Sequence, residues 1–237
     1  MYTYKRKDFE LMRVSVVVPV YNEEVLIVRC LTALRNQTKK PFEIIVADNN
    51  STDNSVEEAK KFAVRIISEK QPGATHARNA GFNLATGDVI ARIDADTLVP
   101  PNWIEEIEKH FTDDPNLIAL SGPTFFDDKK FNNLLIFEKP THIIWKIIFG
   151  HDLLYGPNTA ITKAAWEKVR GTVCLDDTKV HEDFDLAFHL GRLNMGKILF
   201  DWNFTVQVSE RRWKSPKSYW EYPLRFLKTI LRHKRLF

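Results

Sequence analysis

The strongest constraint on the fold is an alternation of short apolar runs with helical patterns in the first half of the chain. Four of these runs are rich in β-branched residues and largely apolar, which is typical of strands buried on both faces. They occupy residues 14–20, 43–47, 64–68 and 88–94. Strands that alternate with helices at this spacing predict an α/β fold with a Rossmann-like, mostly parallel central sheet flanked by helices.

The second half of the chain is less regular. We predict helices from Trp103 to His110 and from Glu182 to Leu193, and we expect Pro140 to break any helix within residues 131–149. Residues 219–233 form an amphipathic pattern that predicts a C-terminal helix. Neither a repeat nor a flexible linker divides the chain, so we predict a single domain over residues 1–237.

Composition excludes several classes of protein. Of the 237 residues, 44% are hydrophobic and 27% are charged, which is typical of a globular chain and not of a disordered one. The two cysteines, Cys30 and Cys174, do not suggest a disulfide framework, so a reducing, cytoplasmic compartment is expected. The polar N-terminus lacks the apolar stretch of a signal peptide, and the apolar runs are shorter than the roughly 20 residues of a spanning helix.

Polar residues directly follow three of the predicted strands. They lie at 19–24, 48–51 and 94–96. Because ligands bind beyond the carboxyl ends of parallel strands, we expect these three segments to line one site. Taken separately, the first two segments are explained as well by turn formation and helix capping.

Asp94 and Asp96 are the candidate metal ligands. Two carboxylates two residues apart in an extended chain point to the same side and suit a hard divalent cation such as Mg²⁺ or Mn²⁺. A second Asp-x-Asp, Asp183 and Asp185, lies in a predicted helix, where these positions face apart. Glycine-rich phosphate-binding motifs are missing, so a nucleotide would be held by a metal and by side chains.

Several sequence blocks resemble glycosyltransferase family 2, in the order and spacing of that family. The blocks are residues 14–24, 43–55, 73–81, 86–96, 156–160 and 181–186. The resemblance implies a GT-A fold and an inverting, metal-dependent transfer of a sugar from a nucleoside diphosphate donor, with UDP favoured, to a glycan or lipid-linked acceptor. It also implies a nucleotide-sugar-binding half at 13–100, an irregular acceptor-binding and catalytic half at 101–213 and a tail at 214–237.

The resemblance further implies which residues contact the nucleotide. Those expected to border the base and ribose are Pro19, Val20, Tyr21, Asn22 and Glu23. Asp48 would hydrogen-bond the base, with Asn50 or Ser51 nearby. Arg78 would lie near uridine or the diphosphate, although a solvated helix position explains it equally well. Asp94 and Ala95 would approach the ribose or diphosphate, and Asp96 would bind the metal together with Asp94.

A second group of residues would serve the acceptor and the reaction. Asp183, next to Glu182, resembles the catalytic base of the family; the alternative is an acidic residue that stabilises the start of a helix. Gly156 and Asn158 resemble the loop that borders the donor sugar and the acceptor. Arg212 could bind diphosphate and Trp213 could border the acceptor, although both also fit the start of a basic surface tail. The incomplete motif around Gln207 leaves processivity open.

The charge of the chain is unevenly distributed. Residues 211–237 contain nine Lys or Arg and one acid, Glu221, which leaves a net charge of −5 on residues 1–210 from a total of +3. The C-terminal helix could lie on an anionic membrane, because it has an apolar side next to basic residues. That side carries Tyr222, Phe226, Ile230 and Leu227. The aromatic side chains of an earlier segment could join the same membrane contact, namely Phe137, Trp145 and Phe149. We therefore predict peripheral binding to the cytoplasmic face of the membrane; docking of this helix on the domain is the alternative.

Two other functions compete with sugar transfer. A sugar nucleotidyltransferase would have a related fold, but it normally has a glycine-rich segment after its first strand, where this chain has Tyr21 to Glu24. A catalytically silent membrane-binding scaffold would not need the carboxylates at Asp96 and Asp183. Nucleic acid is not an expected partner, because the total charge of +3 is small.

Overall fold

A computed structural model describes residues 12–126, 135–209 and 218–233. Its central sheet has seven strands: β1 (Val14–Val20), β2 (Glu43–Asp48), β3 (Arg65–Ser68), β4 (Val89–Arg92), β6 (Leu117–Ser121), β8 (Thr159–Thr162) and β9 (Lys197–Phe200). Their order across the sheet is β3-β2-β1-β4-β8-β6-β9. Strand β8 runs antiparallel to β4 and β6, and the other neighbouring pairs are parallel. The predicted mostly parallel sheet is confirmed.

A small second sheet joins the segment after Asp96 to the C-terminal half of the chain. It contains β5 (Thr97–Leu98), β7 (Thr124–Phe126) and β10 (Val206–Val208), with β10 in the middle. Sequence patterns do not reveal β5 and β7, because a strand of two or three residues is too short to show an alternation.

Helices cover both faces of the central sheet. They are α1 (Leu26–Arg35), α2 (Ser55–Ala59), α3 (Ala74–Leu84), α4 (Trp103–Asp113), α5 (Leu135–Phe149), α6 (Lys163–Val169), α7 (Glu182–Arg192) and α8 (Ser218–His233). Alternate residues of β1 enter different cores: Val16 and Val18 pack with α1 and α4, whereas Val17 packs with α3, α6 and α7. This alternation is the reason why the strand is apolar at nearly every position. Both cysteines are buried and free.

The prediction that Pro140 breaks any helix in its segment was wrong. Helix α5 continues through Pro140 to Phe149. A proline removes one backbone hydrogen bond, but it does not prevent a helix whose other residues pack well. Here Trp145 and Phe149 lie against the core, and their rings stack at a centroid distance of 5.4 Å.

The membrane-facing aromatic residues that we predicted from the sequence also need correction. Trp145, Phe149 and Phe226 pack against the core beside Phe184, whereas Leu227 is 52% exposed. Phe226 contacts both Trp145 and Phe184 at ring-centroid distances of 4.8 Å, so α8 docks on α5 and α7. The side chains of Phe137 and Tyr222 lie outside the described residues.

Candidate active site

A cleft of about 640 Å³ opens where β1, β2 and β4 end. Most of the predicted nucleotide-binding residues line it, and they are Pro19, Val20, Tyr21, Glu23, Asn50, Asp94, Ala95 and Asp96. Glu182 reaches the same cleft from the start of α7. Segments that are distant in sequence therefore meet at the edge of the sheet where the rule for parallel strands expects a ligand.

The loops after β1 and β2 are joined by hydrogen bonds. Ser51 Oγ accepts from the backbone N–H of Asn22 at 3.1 Å, and Asn22 Oδ1 accepts from the N–H of Thr52 at 2.8 Å. Asp48 Oδ1 accepts from the N–H of Ser51 at 3.2 Å. Asn22 and Asn50 have φ values of 54° and 63°, a left-handed conformation that asparagine tolerates better than most residues. Three of the predicted residues, Asn22, Asp48 and Ser51, thus shape the cleft edge.

Arg92, at the end of β4, is the centre of a buried cluster of carboxylates. Its Nη1 lies 2.8 Å from Asp183 Oδ1. Its Nη2 lies 2.8 Å from Glu182 Oε1 and 3.0 Å from Asp94 Oδ1. One guanidinium therefore links the candidate metal ligand Asp94 to the two candidate catalytic residues. We call Arg92, Asp94, Glu182 and Asp183 the Arg92 cluster.

The two acidic residues at the start of α7 have opposite pKa shifts. Burial raises the pKa of Asp183 above its usual value, an effect that Arg92 only partly offsets. Burial acts on Glu182 in the same direction, but the charges of Arg92 and Arg78 outweigh it and hold the pKa of Glu182 at about 2. Glu182 is consequently a fixed negative charge, whereas Asp183 is the better proton acceptor of the two.

Gly156 lies directly against the carboxylate of Asp183. A methyl group at this position would be 2.6 Å from both Asp183 carboxylate oxygens and 2.9 Å from Nη1 of Arg92. Glycine thus permits the close approach of this loop to the Arg92 cluster. Asn158, two residues later, is fully buried; its Oδ1 accepts from Trp103 Nε1 and its Nδ2 donates to the Phe204 carbonyl. The side chain of Asn158 thus supports the loop from inside the protein.

Arg78 lies behind Glu182 and does not line the cleft. It is almost completely buried, and its Nη1 is 3.6 Å from Glu182 Oε2. Thr75, on the same helix, donates to Glu182 at 3.1 Å and also hydrogen-bonds Asp177. Helix α3 therefore orients Glu182 from the side opposite Arg92. Arg212 and Trp213 lie outside the described residues.

Sequence reasoning missed the role of Arg92. A signal was present: the arginine interrupts an apolar strand, and a charge on a buried strand requires partners of opposite charge. Asn49 and Gly73 lie in segments that were selected from the sequence, but neither was named as a site residue. Asn49 Oδ1 accepts from the N–H of Gly73 at 2.7 Å, and both residues line the cleft.

Comparison with protein families identifies the relatives of this chain. The profile of Glycosyl transferase family 2 matches residues 15–167, more than half of the chain. The chain belongs to glycosyl transferase family 2. This membership confirms the predicted family and speaks against a sugar nucleotidyltransferase.

In two relatives, the segment that matches this chain is only part of the whole protein. Glycosyltransferase GlyG of Streptococcus pneumoniae serotype 4 is 39% identical over 100 residues, which are 40% of this chain and 33% of that protein. Undecaprenyl-phosphate 4-deoxy-4-formamido-L-arabinose transferase of Pectobacterium carotovorum is 39% identical over 112 residues, or 43% of this chain and 34% of that protein. The matches span about a third of the length of each relative.

Solved structures of other glycosyltransferases share the fold of this family 2 chain. A mannosyltransferase from Pyrobaculum calidifontis, in complex with GDP-Man and Mn²⁺, has a TM-score of 0.75 at 20% sequence identity. The superposed region covers 96% of this chain and 65% of the mannosyltransferase chain. Glucosyl-3-phosphoglycerate synthase from Mycobacterium tuberculosis, with Mn²⁺, UDP and phosphoglyceric acid, has a TM-score of 0.57 at 18% identity, with coverages of 84% and 68%. These likenesses confirm the predicted GT-A fold.

Proposed function

We propose that this family 2 glycosyltransferase moves a sugar from a nucleoside diphosphate sugar to an acceptor hydroxyl, with inversion and in a single displacement. The observation that carries the proposal is the Arg92 cluster: a base candidate, Asp183, is held beside a cleft that Asp94 and Asp96 line. UDP is the favoured nucleotide, in keeping with the UDP complex of the Mycobacterium tuberculosis synthase. GDP is the alternative, because the Pyrobaculum calidifontis enzyme was solved with GDP-Man.

A divalent cation, Mg²⁺ or Mn²⁺, fits the residues at the end of β4. Asp94 and Asp96 both line the cleft and supply the carboxylate oxygens that such hard cations prefer. When bound, the cation would neutralise charge on the departing diphosphate. Both solved relatives described above contain Mn²⁺.

Asp183 is the proposed general base. The acceptor hydroxyl oxygen forms a bond to the anomeric carbon as the bond from that carbon to the diphosphate oxygen breaks. The diphosphate leaves with the electron pair, and the hydroxyl proton passes to the Asp183 carboxylate. The hydrogen bond from Arg92 to Asp183 Oδ1 orients the carboxylate for this transfer, and the permanent charge of Glu182 keeps Arg92 in place.

A panel of nucleotide sugars, tested by thermal unfolding with Mn²⁺, checks the donor side of the proposal. At a concentration 100 times its Kd, the correct donor should stabilise the protein by about 2.7 kcal/mol. The Asp96→Asn variant should lose most of the Mn²⁺-dependent part of this gain, because one metal ligand is missing. Asp114→Asn, at a partly exposed carboxylate that pairs with Lys197 outside the cleft, is the matched control. A Mn²⁺-dependent gain of equal size in Asp96→Asn would contradict the assignment of the metal ligands.

We further propose that an exposed aliphatic surface on α5 and α8 binds the membrane face on which a lipid-linked acceptor would lie. The described residues contain no helix with the length and apolar character needed to cross a bilayer. Seven aliphatic side chains on these helices are at least half exposed, namely Ile143, Ile144, Ile147, Ile148, Leu224, Leu227 and Leu231. Trp145 and Phe226, in contact with each other, bring the two helices together. Exposed aliphatic side chains grouped on two helices that contact each other are typical of a protein or membrane contact.

Charge favours the membrane as the partner of this surface. Lys139 on α5 and Lys228 on α8 are exposed beside the aliphatic residues, and each would attract anionic lipid. Lys146 on α5 is also exposed, but it pairs with Asp152. A lipid-linked acceptor is in keeping with the undecaprenyl-phosphate substrate in the name of the Pectobacterium carotovorum relative. The cytoplasmic face is the proposed side, because both cysteines are free.

Sedimentation with liposomes tests the membrane proposal. The full chain should sediment with anionic vesicles at low salt and less so at high salt, because salt screens the lysine charges. The double variant Ile147→Glu and Leu227→Glu should remain in the supernatant. Phe42→Glu changes a half-exposed aromatic residue at the start of β2 and should sediment like the unmodified protein. Equal sedimentation of the double variant and of Phe42→Glu would contradict the proposal, as would failure of the unmodified chain to bind.

A further inference from the structure

Helices α7 and α8 bring together a carboxylate and two imidazoles on the side of α7 away from the Arg92 cluster. Asp185 and His189 lie one helical turn apart on α7, and His233 is the last residue of α8. Asp185 Oδ1 is 2.9 Å from His233 Nε2 and 3.7 Å from His189 Nε2. We call these three residues the α7–α8 cluster; their ligand atoms all lie within 4.8 Å of one another.

This cluster is separate from the proposed catalytic metal ligands. Asp183 points to Arg92, whereas Asp185, two residues later on the helix, points to His233 and to the N–H of Cys174. The two carboxylates of this Asp-x-Asp thus face different parts of the protein, as their helical spacing predicts. Nothing in the proposed sugar transfer uses the α7–α8 cluster.

The cluster is held in place before any ligand binds. Asp185 Oδ2 accepts from the backbone N–H of Cys174 at 2.7 Å, which orients the carboxylate and leaves Oδ1 toward the imidazoles. The ring of Phe188 stacks on His233 at a centroid distance of 4.8 Å. Asp185 and His233 are buried, whereas the side chain of His189 is 16% exposed. A cation could therefore reach the cluster from solvent beside His189.

The hydrogen bond between Asp185 and His233 leaves His189 outside it: His189 Nε2 lies 3.7 Å from Asp185 Oδ1, which is longer than a hydrogen bond. A buried carboxylate such as Asp185 carries a desolvation cost that further ligation would offset. A divalent cation would be bound by the carboxylate oxygen and both Nε2 atoms at once. Two nitrogens and one oxygen suit Zn²⁺, which is usually four-coordinate, better than Mg²⁺, which prefers oxygen ligands only.

We infer that the α7–α8 cluster is a Zn²⁺ site that fastens α8 to α7. The helices already meet at two other points near the catalytic carboxylates. Thr229 Oγ1 accepts from the N–H of His181 at 2.7 Å, and Phe226 contacts Phe184. Bound Zn²⁺ would add a third link one turn beyond Thr229 and would stabilise the helix that carries the exposed leucines.

Metal titration of the full chain, without a polyhistidine tag and after treatment with a chelator, tests the site. One Zn²⁺ per chain should bind in competition with a chromophoric chelator and should raise the unfolding temperature. Co²⁺ should give the visible absorption of a four-coordinate ion. His189→Gln should weaken Zn²⁺ binding at least about tenfold, since even outer-shell partners of a metal contribute that much.

Two further variants separate this site from others. Asp96→Asn should bind Zn²⁺ as tightly as the unmodified chain, and so should His110→Gln, whose histidine pairs with Asp201 elsewhere. Circular dichroism shows whether His189→Gln folds. If it does not fold, the Co²⁺ spectrum of the unmodified chain tests whether the chain holds a four-coordinate ion. A six-coordinate Co²⁺ spectrum, absence of stoichiometric Zn²⁺, unchanged affinity in folded His189→Gln, or loss of binding in Asp96→Asn would each overturn the inference.

Discussion

Asp183→Asn should abolish sugar transfer while nucleotide binding survives. The amide has the shape of the carboxylate and can still accept the hydrogen bond that Arg92 donates to Oδ1 at 2.8 Å. It cannot take up the proton of the acceptor hydroxyl. Loss of a general base typically lowers kcat by about 10²- to 10⁴-fold. The measurements are kcat with the donor found in the nucleotide panel and the Kd of the corresponding nucleoside diphosphate.

The matched control for this variant is again Asp114→Asn. It makes the same chemical change at a partly exposed residue outside the cleft, so both kcat and the nucleotide Kd should stay at the level of the unmodified enzyme. Near-normal turnover of Asp183→Asn would show that Asp183 is not the base. Loss of nucleotide binding together with kcat would instead indicate that the substitution disrupts the cleft.

Arg92→Met should destabilise the protein and inactivate it. Met fills a similar volume but leaves the buried carboxylates of Asp94 and Asp183 without their shared cation, whereas the partly exposed Glu182 keeps its contact with Arg78. Removal of one partner from a buried ion pair costs about 3–5 kcal/mol of unfolding free energy, because the remaining charge stays desolvated. Urea unfolding measures this loss, and turnover of the folded fraction should fall because Asp183 is no longer oriented.

Arg92→Lys distinguishes charge from geometry. A lysine keeps the positive charge but presents a single ammonium where Arg92 reaches three carboxylates with two nitrogens. It should recover part of the unfolding free energy and little of the kcat. Arg170→Met, at an exposed pair with Glu167, should cost less than about 1 kcal/mol. Equal stability of Arg92→Met and Arg170→Met would contradict the central role of Arg92.

Much of the candidate cleft could be predicted from the sequence because its signals are local. Apolar β-branched runs identify strands β1, β2 and β4, and the polar residues that follow identify the edge of the sheet where the cleft opens. Pro19, Tyr21, Asp94 and Asp96 were named in this way and line one cleft. The helical spacing of Asp183 and Asp185 also indicated that these two carboxylates face apart.

The remaining features depend on contacts between distant parts of the chain. Arg92 and Asp183 are 91 residues apart in the sequence, and Thr229 and His181 are 48 residues apart. Local sequence patterns therefore do not indicate either pair. For the same reason the sequence left open whether α8 lies on a membrane or docks on the domain: an amphipathic pattern shows that a helix has an apolar side, but not whether that side packs against its own domain. Phe226 packs on α5 and α7, which leaves Leu224, Leu227 and Leu231 outside.

The sequence by itself determined the α/β architecture, the edge of the sheet that holds the site and the acidic residues to consider there. These follow from periodicity and from the chemistry of single side chains. Only the tertiary structure decided which charges pair, because folding brings Arg92 together with the carboxylates of Asp94, Glu182 and Asp183. The same folding placed His233 beside Asp185 and His189, and turned the aliphatic side chains of α5 and α8 outward.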